Sequence, residues 1–105
     1  DRKMKHIYLI CAAGLSTSMM VEKMKEAARK QNFECEIQAV GIPMAESIVS
    51  DADCILLGPQ IRFEKENICE IAGEVPVDVI DMRDYGRMNG EAVIQKARSL
   101  MEESL

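Results

Sequence analysis

The chain has no tryptophan, two tyrosines, two phenylalanines and one histidine. A lone histidine, His6, gives little basis for a Cys/His zinc site. The four cysteines, Cys11, Cys35, Cys54 and Cys69, form no C-x-x-C pair and no metal-like cluster. No apolar run approaches the roughly 20 residues that a membrane-spanning helix needs, and no stretch reads as a secretory signal. An excess of positive charge is lacking too. Asp and Glu outnumber Lys and Arg by 18 to 13, for a net charge of −5 and a pI near 4.9. That balance argues against a general binder of nucleic acid or anionic membrane. Neither G-x-x-x-x-G-K-[ST] nor G-x-G-x-x-G follows the first apolar run, which removes the common nucleotide cradles. Repeats, low-complexity stretches and linkers are absent as well.

What remains is a chain of 105 residues, 48% hydrophobic and 30% charged, the profile of one globular domain spanning 1–105. Residues 1–3 precede Met4 and read as a remnant of an added or trimmed start. Cys35, Cys54 and Cys69 lie in apolar or amphipathic segments, where a free thiol behaves as a small buried hydrophobe. Unpaired cysteines of this kind point to a reducing, cytoplasmic compartment.

Turn residues divide the chain into alternating strands and helices. His6 to Ile10 is a short continuous apolar run, as a buried strand would be. Ser16 to Lys30 carries Met20, Met24, Ala27 and Ala28 at helical spacing, with Ser16 as its expected N-cap. Glu36 to Val40 alternates and stops at Gly41. Pro43 suits the start of a short helix through Ile48 and Val49. Cys54 to Leu57 is a second apolar strand closed by Gly58-Pro59. A helix is expected over Ile61 to Glu74 with Ile61, Ile68, Ile71 and Ala72 inward, then a strand over Val75 to Ile80. Gly90 to Ser104 is the last helix, with Val93, Ile94, Ala97, Leu100 and Met101 on one face. Strand-helix alternation of this kind predicts an α/β fold: a four-stranded parallel sheet with helices on both faces. Ligands of such sheets bind outside the carboxyl ends of the strands.

Cys11 occupies the tip of the first strand, followed by Ala12-Ala13-Gly14-Leu15-Ser16-Thr17-Ser18. Small residues allow the backbone N–H groups to wrap an anion closely, and a helix start adds its positive dipole end. The same setting activates a thiolate, so Cys11 is the candidate nucleophile. Thr17 and Ser18 either donate to an anion or cap the helix, and the sequence leaves both open. The loop is similar to the C-x5-R loop of low-molecular-weight tyrosine phosphatases, except that the arginine position holds Thr17. Loss of that bidentate clamp favours a site that holds a phosphoryl group over one that hydrolyses it. Three readings stay open at this point: a phosphoryl carrier, a cysteine phosphatase or arsenate-reductase-like enzyme, and a thiol-redox or regulatory domain.

Taken together, the segments Ile7 to Ser18, Asp53 to Ile61, and Val79-Ile80-Asp81 with Tyr85-Gly86 resemble the IIB component of the bacterial phosphoenolpyruvate-dependent sugar phosphotransferase system, of the lactose/cellobiose (chitobiose) type. The resemblance runs from about Lys5 to Met101. It implies a sheet of strand order 2-1-3-4, akin to the low-molecular-weight tyrosine phosphatase fold, and a phosphotransferase activity. Cys11 would accept a phosphoryl group from a phosphohistidine of the IIA partner. It would then pass the group to a β-glucoside or disaccharide held by the membrane-embedded IIC partner. The resemblance also implies a phosphate-binding loop over Ala12, Ala13, Gly14, Leu15, Ser16, Thr17 and Ser18, with Pro59 and Gln60 at its rim. Tyr85, in the loop after the fourth strand, either lines the site's edge or packs the turn, and the sequence leaves both open. No metal, cofactor or nucleic acid is expected, and the free protein is expected to be a monomer. Leu15 and Met19, and less so Ile61, are candidates for an apolar docking rim.

Overall fold

The computed structural model describes residues 4–12 and 15–103, of which 15–17 and 103 as backbone only. Four parallel strands, β1 (Lys5–Cys11), β2 (Cys35–Gly41), β3 (Cys54–Leu57) and β4 (Val77–Val79), form one sheet in the order β2-β1-β3-β4. This is the α/β architecture and the strand order that the sequence and its resemblance led us to expect.

Helices cover both faces of the sheet. On one side lie α1 (Leu15–Lys30) and α5 (Gly90–Glu103), and on the other α2 (Ala45–Ile48) and α3 (Lys65–Ala72). The side chains of β1 alternate between the two layers. Ile7 and Leu9 pack with Met20, Met24, Val93 and Ile94, whereas Tyr8 and Ile10 pack with Ala45, Ile48, Ile61 and Ile68. Because both faces are covered, the strand shows no polar alternation, which explains its unbroken apolar run. Each fully buried aliphatic side chain contributes about 1.5–3 kcal/mol, so β1 and β3 between them anchor both layers.

Several elements differ from the sequence expectation. Helix α1 begins at Leu15, so Ser16 lies inside its first turn and is not its N-cap. The helix expected over Ile61 to Glu74 is a 3-10 segment, Pro59–Glu64, followed by α3 from Lys65. Ile61 sits at φ −117° and ψ 28°, a break that delays the α-helix by a turn. The fourth strand spans only Val77–Val79; Pro76, which has no N–H to donate, precedes it, although its carbonyl still accepts from Ile55 N at 2.9 Å, and Ile80 N donates to Leu57 O at 2.9 Å just beyond it. A short helix, α4 (Met82–Gly86), stands where a loop was read. Asp81 caps it by accepting from the Arg83 and Asp84 N–H groups. Cys69, expected inside, is exposed on α3.

Two contacts lock the helices in place. The N-terminus of α5 lies against the backbone of α1, and a Cβ added to Gly90 would fall 2.3 Å from the Lys23 carbonyl oxygen and 2.8 Å from Met24 N. Main chain cannot yield there, so Gly90→Ala must push α5 away. We expect it to destabilise the fold by about 1–3 kcal/mol, read as a lower urea midpoint.

The second contact is electrostatic. Asp78 on β4 pairs with Lys65 of α3 and Lys96 of α5, each at 3.3 Å. Partial burial pushes the Asp78 carboxyl up, but the Val79 N–H, Lys65 and Lys96 outweigh it and hold its pKa below the ordinary value. A depressed folded pKa gives stability that is present above the unfolded value and lost as pH falls through the folded one. On lowering the pH from about 5 to 2, Asp78→Asn should therefore lose less stability than the wild type in acid-unfolding titrations.

Candidate functional site

Cys11 is the last residue of β1, an inner strand, and is 5% exposed. By the two-residue alternation of the strand it falls on the face of Ile7 and Leu9, the face that α1 covers. Its register partner on β2 is Gly41. On the other side Ile10 pairs with Leu57, and Gly58 N extends that ladder by donating to Ile10 O at 3.0 Å. The thiol is thus flanked on both neighbouring strands by residues without side chains. A Cβ on Gly58 would lie 3.8 Å from Cys11 Sγ.

The remaining expected site residues distribute as follows. Ala12 is exposed directly after the cysteine, and α1 begins at Leu15, so its positive end opens beside the strand tip. Ala13 and Gly14 lie outside the described residues, as do the side chains of Leu15, Ser16 and Thr17. Ser18 is exposed on the first turn of α1. Pro59 is buried and Gln60 exposed, with Gln60 Oε1 3.2 Å from the position a Gly58 Cβ would take. Tyr85 is buried in the layer formed with Ile80, Val93 and Ile94, where its ring contributes to packing. Among the described residues no group of His, Cys, Asp and Glu is arranged to hold a metal ion.

Around the carboxyl end of the sheet, large apolar side chains face solvent. Met19 on α1 is 60% exposed and Phe63 after β3 is 75% exposed, with Met44 after β2 and Met82 after β4 similarly open. Ile61, a weaker rim candidate in the sequence, is 3% exposed and belongs to the core below. Met44, Phe63 and Met82 escaped the sequence reading. The available signal was that each lies within a few residues of the end of a strand, where the fold gathers its ligand-facing loops.

His6 lies at the opposite end of β1. Its Nδ1 stands 2.7 Å from Asp51 Oδ2, its Nε2 stands 3.2 Å from Glu36 Oε2, and its N–H donates to Asp53 Oδ2 at 2.8 Å. Tyr8 OH donates to the same Asp51 oxygen at 2.7 Å. This cluster ties the α2–β3 turn to β1 at the pole remote from Cys11, in keeping with a structural role.

The other thiols differ sharply from one another. Burial, with lesser contributions from Asp78 and Asp53, pushes the Cys54 thiol up to about 12, and burial raises Cys35 as well. Thiolate is the reactive form, so Cys54 is inert at neutral pH.

A strand-end thiol between two glycines, with a helix opening beside it, is the candidate site of this parallel α/β domain. The family described as PTS system, lactose/cellobiose-specific IIB subunit, matches residues 6–96. The oligo-β-mannoside-specific EIIB component of the PTS system of Bacillus subtilis (strain 168) is 43% identical over 100 residues, covering 93% of this chain and 97% of its own. The galactose-specific EIIB component of Lactococcus lactis subsp. cremoris (strain MG1363) is 43% identical over 105 residues, covering 92% and 96%. The solution structure of the cellobiose-specific phosphotransferase IIB component from Borrelia burgdorferi superposes with a TM-score of 0.82 at 35% identity, covering 99% of this chain and 97% of that one. The chain belongs to the lactose/cellobiose-specific IIB subunit family of the phosphotransferase system. Among the described residues no helix is long and apolar enough to cross a membrane.

Exposure and pKa together set the order of thiol labelling. With iodoacetamide at about pH 8 the native protein should be alkylated at Cys69, while Cys54 stays unmodified until the fold is opened in denaturant, as peptide mass mapping would show.

Proposed function

We propose that this chain is a phosphotransferase that carries a phosphoryl group on Cys11 between two partners of a sugar uptake system. The observation that carries the reading is the placement of Cys11: a thiol at the tip of an inner strand, beside the opening of α1, flanked by Gly41 and Gly58. Family membership supports it, since the relatives are named as EIIB components of phosphotransferase systems.

In the first transfer the Cys11 thiolate attacks the phosphorus of a phosphohistidine on the IIA partner. The S–P bond forms as the P–N bond breaks, and the imidazole nitrogen keeps the electron pair. In the second, a hydroxyl of a sugar bound by the membrane IIC partner attacks the same phosphorus. The S–P bond breaks, sulfur leaves as thiolate, and the hydroxyl proton passes to a base on the partner's side. The chain contributes position and charge. Backbone N–H groups over 12–18 and the positive end of α1 stabilise the dianion. With Thr17 in place of an arginine, the clamp that drives hydrolysis in a cysteine phosphatase is missing, so the phosphocysteine survives until the acceptor arrives.

The exposed Met19, Met44, Phe63 and Met82 give both partners an apolar rim around the thiol. The relatives name different sugars, an oligo-β-mannoside and galactose, at the same 43% identity to this chain. That pattern suits a carrier that meets the sugar only as an acceptor hydroxyl, working at the cytoplasmic side of the membrane partner.

Incubation with a phosphohistidine-bearing IIA protein should add one phosphate, as intact mass would show, and Cys11→Ser should abolish it. Uptake that survives this substitution would sink the proposal.

A further inference from the structure

Gly58 has a backbone that any residue can adopt, with φ −62° and ψ 146°, so conformation does not require glycine there. Packing against main chain does not require it either. A Cβ built on Gly58 would meet, among the described residues, the Ile10 carbonyl oxygen at 3.8 Å, an ordinary contact. Its closest neighbour would be the flexible end of the Gln60 side chain at 3.2 Å, and its third the Cys11 sulfur at 3.8 Å. Gly90 is the opposite case, where a Cβ collides with backbone at 2.3 Å.

Gly41, on the other flank of Cys11, is equally ordinary at φ −85° and ψ 167°. A Cβ there would approach Pro43 Cδ at 3.6 Å and the Cys11 carbonyl oxygen at 3.9 Å. Of the two flanking positions, Gly58 is therefore the one whose side chain would compete for space with a group carried on sulfur. The far wall of that space is the Gln60 carboxamide.

We propose that Gly58 and Gln60 form a second wall of the phosphoryl site. Gly58 keeps the β3 side of the Cys11 sulfur open for a tetrahedral group, and the Gln60 carboxamide donates an N–H across that space to one of its oxygens. The inference rests on Cys11 as the phosphoryl carrier and adds a donor from a segment remote from the loop over 12–18. A neutral amide donor suits the site. It stabilises the dianion without the charge of a guanidinium, and an exposed side chain can turn aside when a partner docks. A glutamate of the same length would set a carboxylate against the dianion.

The test compares phosphate uptake from a phosphohistidine-bearing IIA protein in four chains, alongside their urea unfolding. Gly58→Ala should unfold at the wild-type midpoint yet take up phosphate at least about ten-fold more slowly. Gln60→Ala should be about three- to ten-fold slower and Gln60→Glu more than about ten-fold slower. In the wild type, phosphorylation should shift the Gln60 side-chain amide proton resonances, which a purely structural glutamine would leave in place. Resonances that stay put on fully phosphorylated protein, or a Gln60→Glu chain that is loaded at the wild-type rate, overturn this inference alone. A wild-type chain that takes no phosphate on Cys11 overturns the carrier reading and this inference with it.

Discussion

Burial of β1 on both faces is the constraint on which the rest of the structure depends. A strand covered from two sides cannot slip by one residue without moving Tyr8 and Ile10 into the layer of Ile7 and Leu9. Its register with β2 and β3 is therefore fixed, and the fixed register delivers Cys11 to the sheet edge between Gly41 and Gly58. The helices follow from the same requirement. Amphipathic α1 and α5 close one face, while shorter α2 and α3 close the other. Placement of the thiol is thus a product of core packing, and no separate device positions it.

Polar interactions then divide the molecule between its two ends. At the amino end of β1, His6, Tyr8, Asp51 and Asp53 are held in short hydrogen bonds that join the α2–β3 turn to the sheet. At the carboxyl end Met19, Met44, Phe63 and Met82 stand exposed. A parallel sheet puts all its strand tips at one edge, so the loops that can meet a ligand gather there while the other edge is free to hold the fold together. Asp78 complements this by fastening the short edge strand β4 to a helix on each face.

Much of this was legible in the sequence, because the signals were local and repeated. The short continuous runs at His6 to Ile10 and Cys54 to Leu57 suit buried strands, and Met20, Met24, Ala27 and Ala28 marked the inner face of α1. Failures came where tertiary context overrides a local pattern. Ile61 has the spacing of a helix face, but the backbone after Pro59 follows a 3-10 path before α3 can start. Cys69 and Ile68 are neighbours on an amphipathic helix, and a rotation of one residue decides which is exposed. Tyr85 read as a loop residue, yet Asp81 caps a short helix there and the ring enters the core. Of the candidate site, the place of Cys11 at a strand tip was legible in the sequence. Gly41 and Gly58 were legible as strand ends, but that they flank the thiol follows only from the register, which pairs residues far apart in the chain.

The open rim is built mainly from methionine, and that choice has a consequence of its own. An unbranched thioether has no fixed shape, so Met19, Met44 and Met82 can repack against surfaces of unlike contour where leucine or isoleucine could fit only one. Under the proposed carrier role, with two unrelated partners met in turn, such a surface would gain tolerance and give up some selectivity. The same sulfur atoms are open to oxidants, and a sulfoxide would turn each soft apolar contact into a polar one. Oxidation would then alter this exposed rim while the Cys11 thiol, almost wholly enclosed, remained intact.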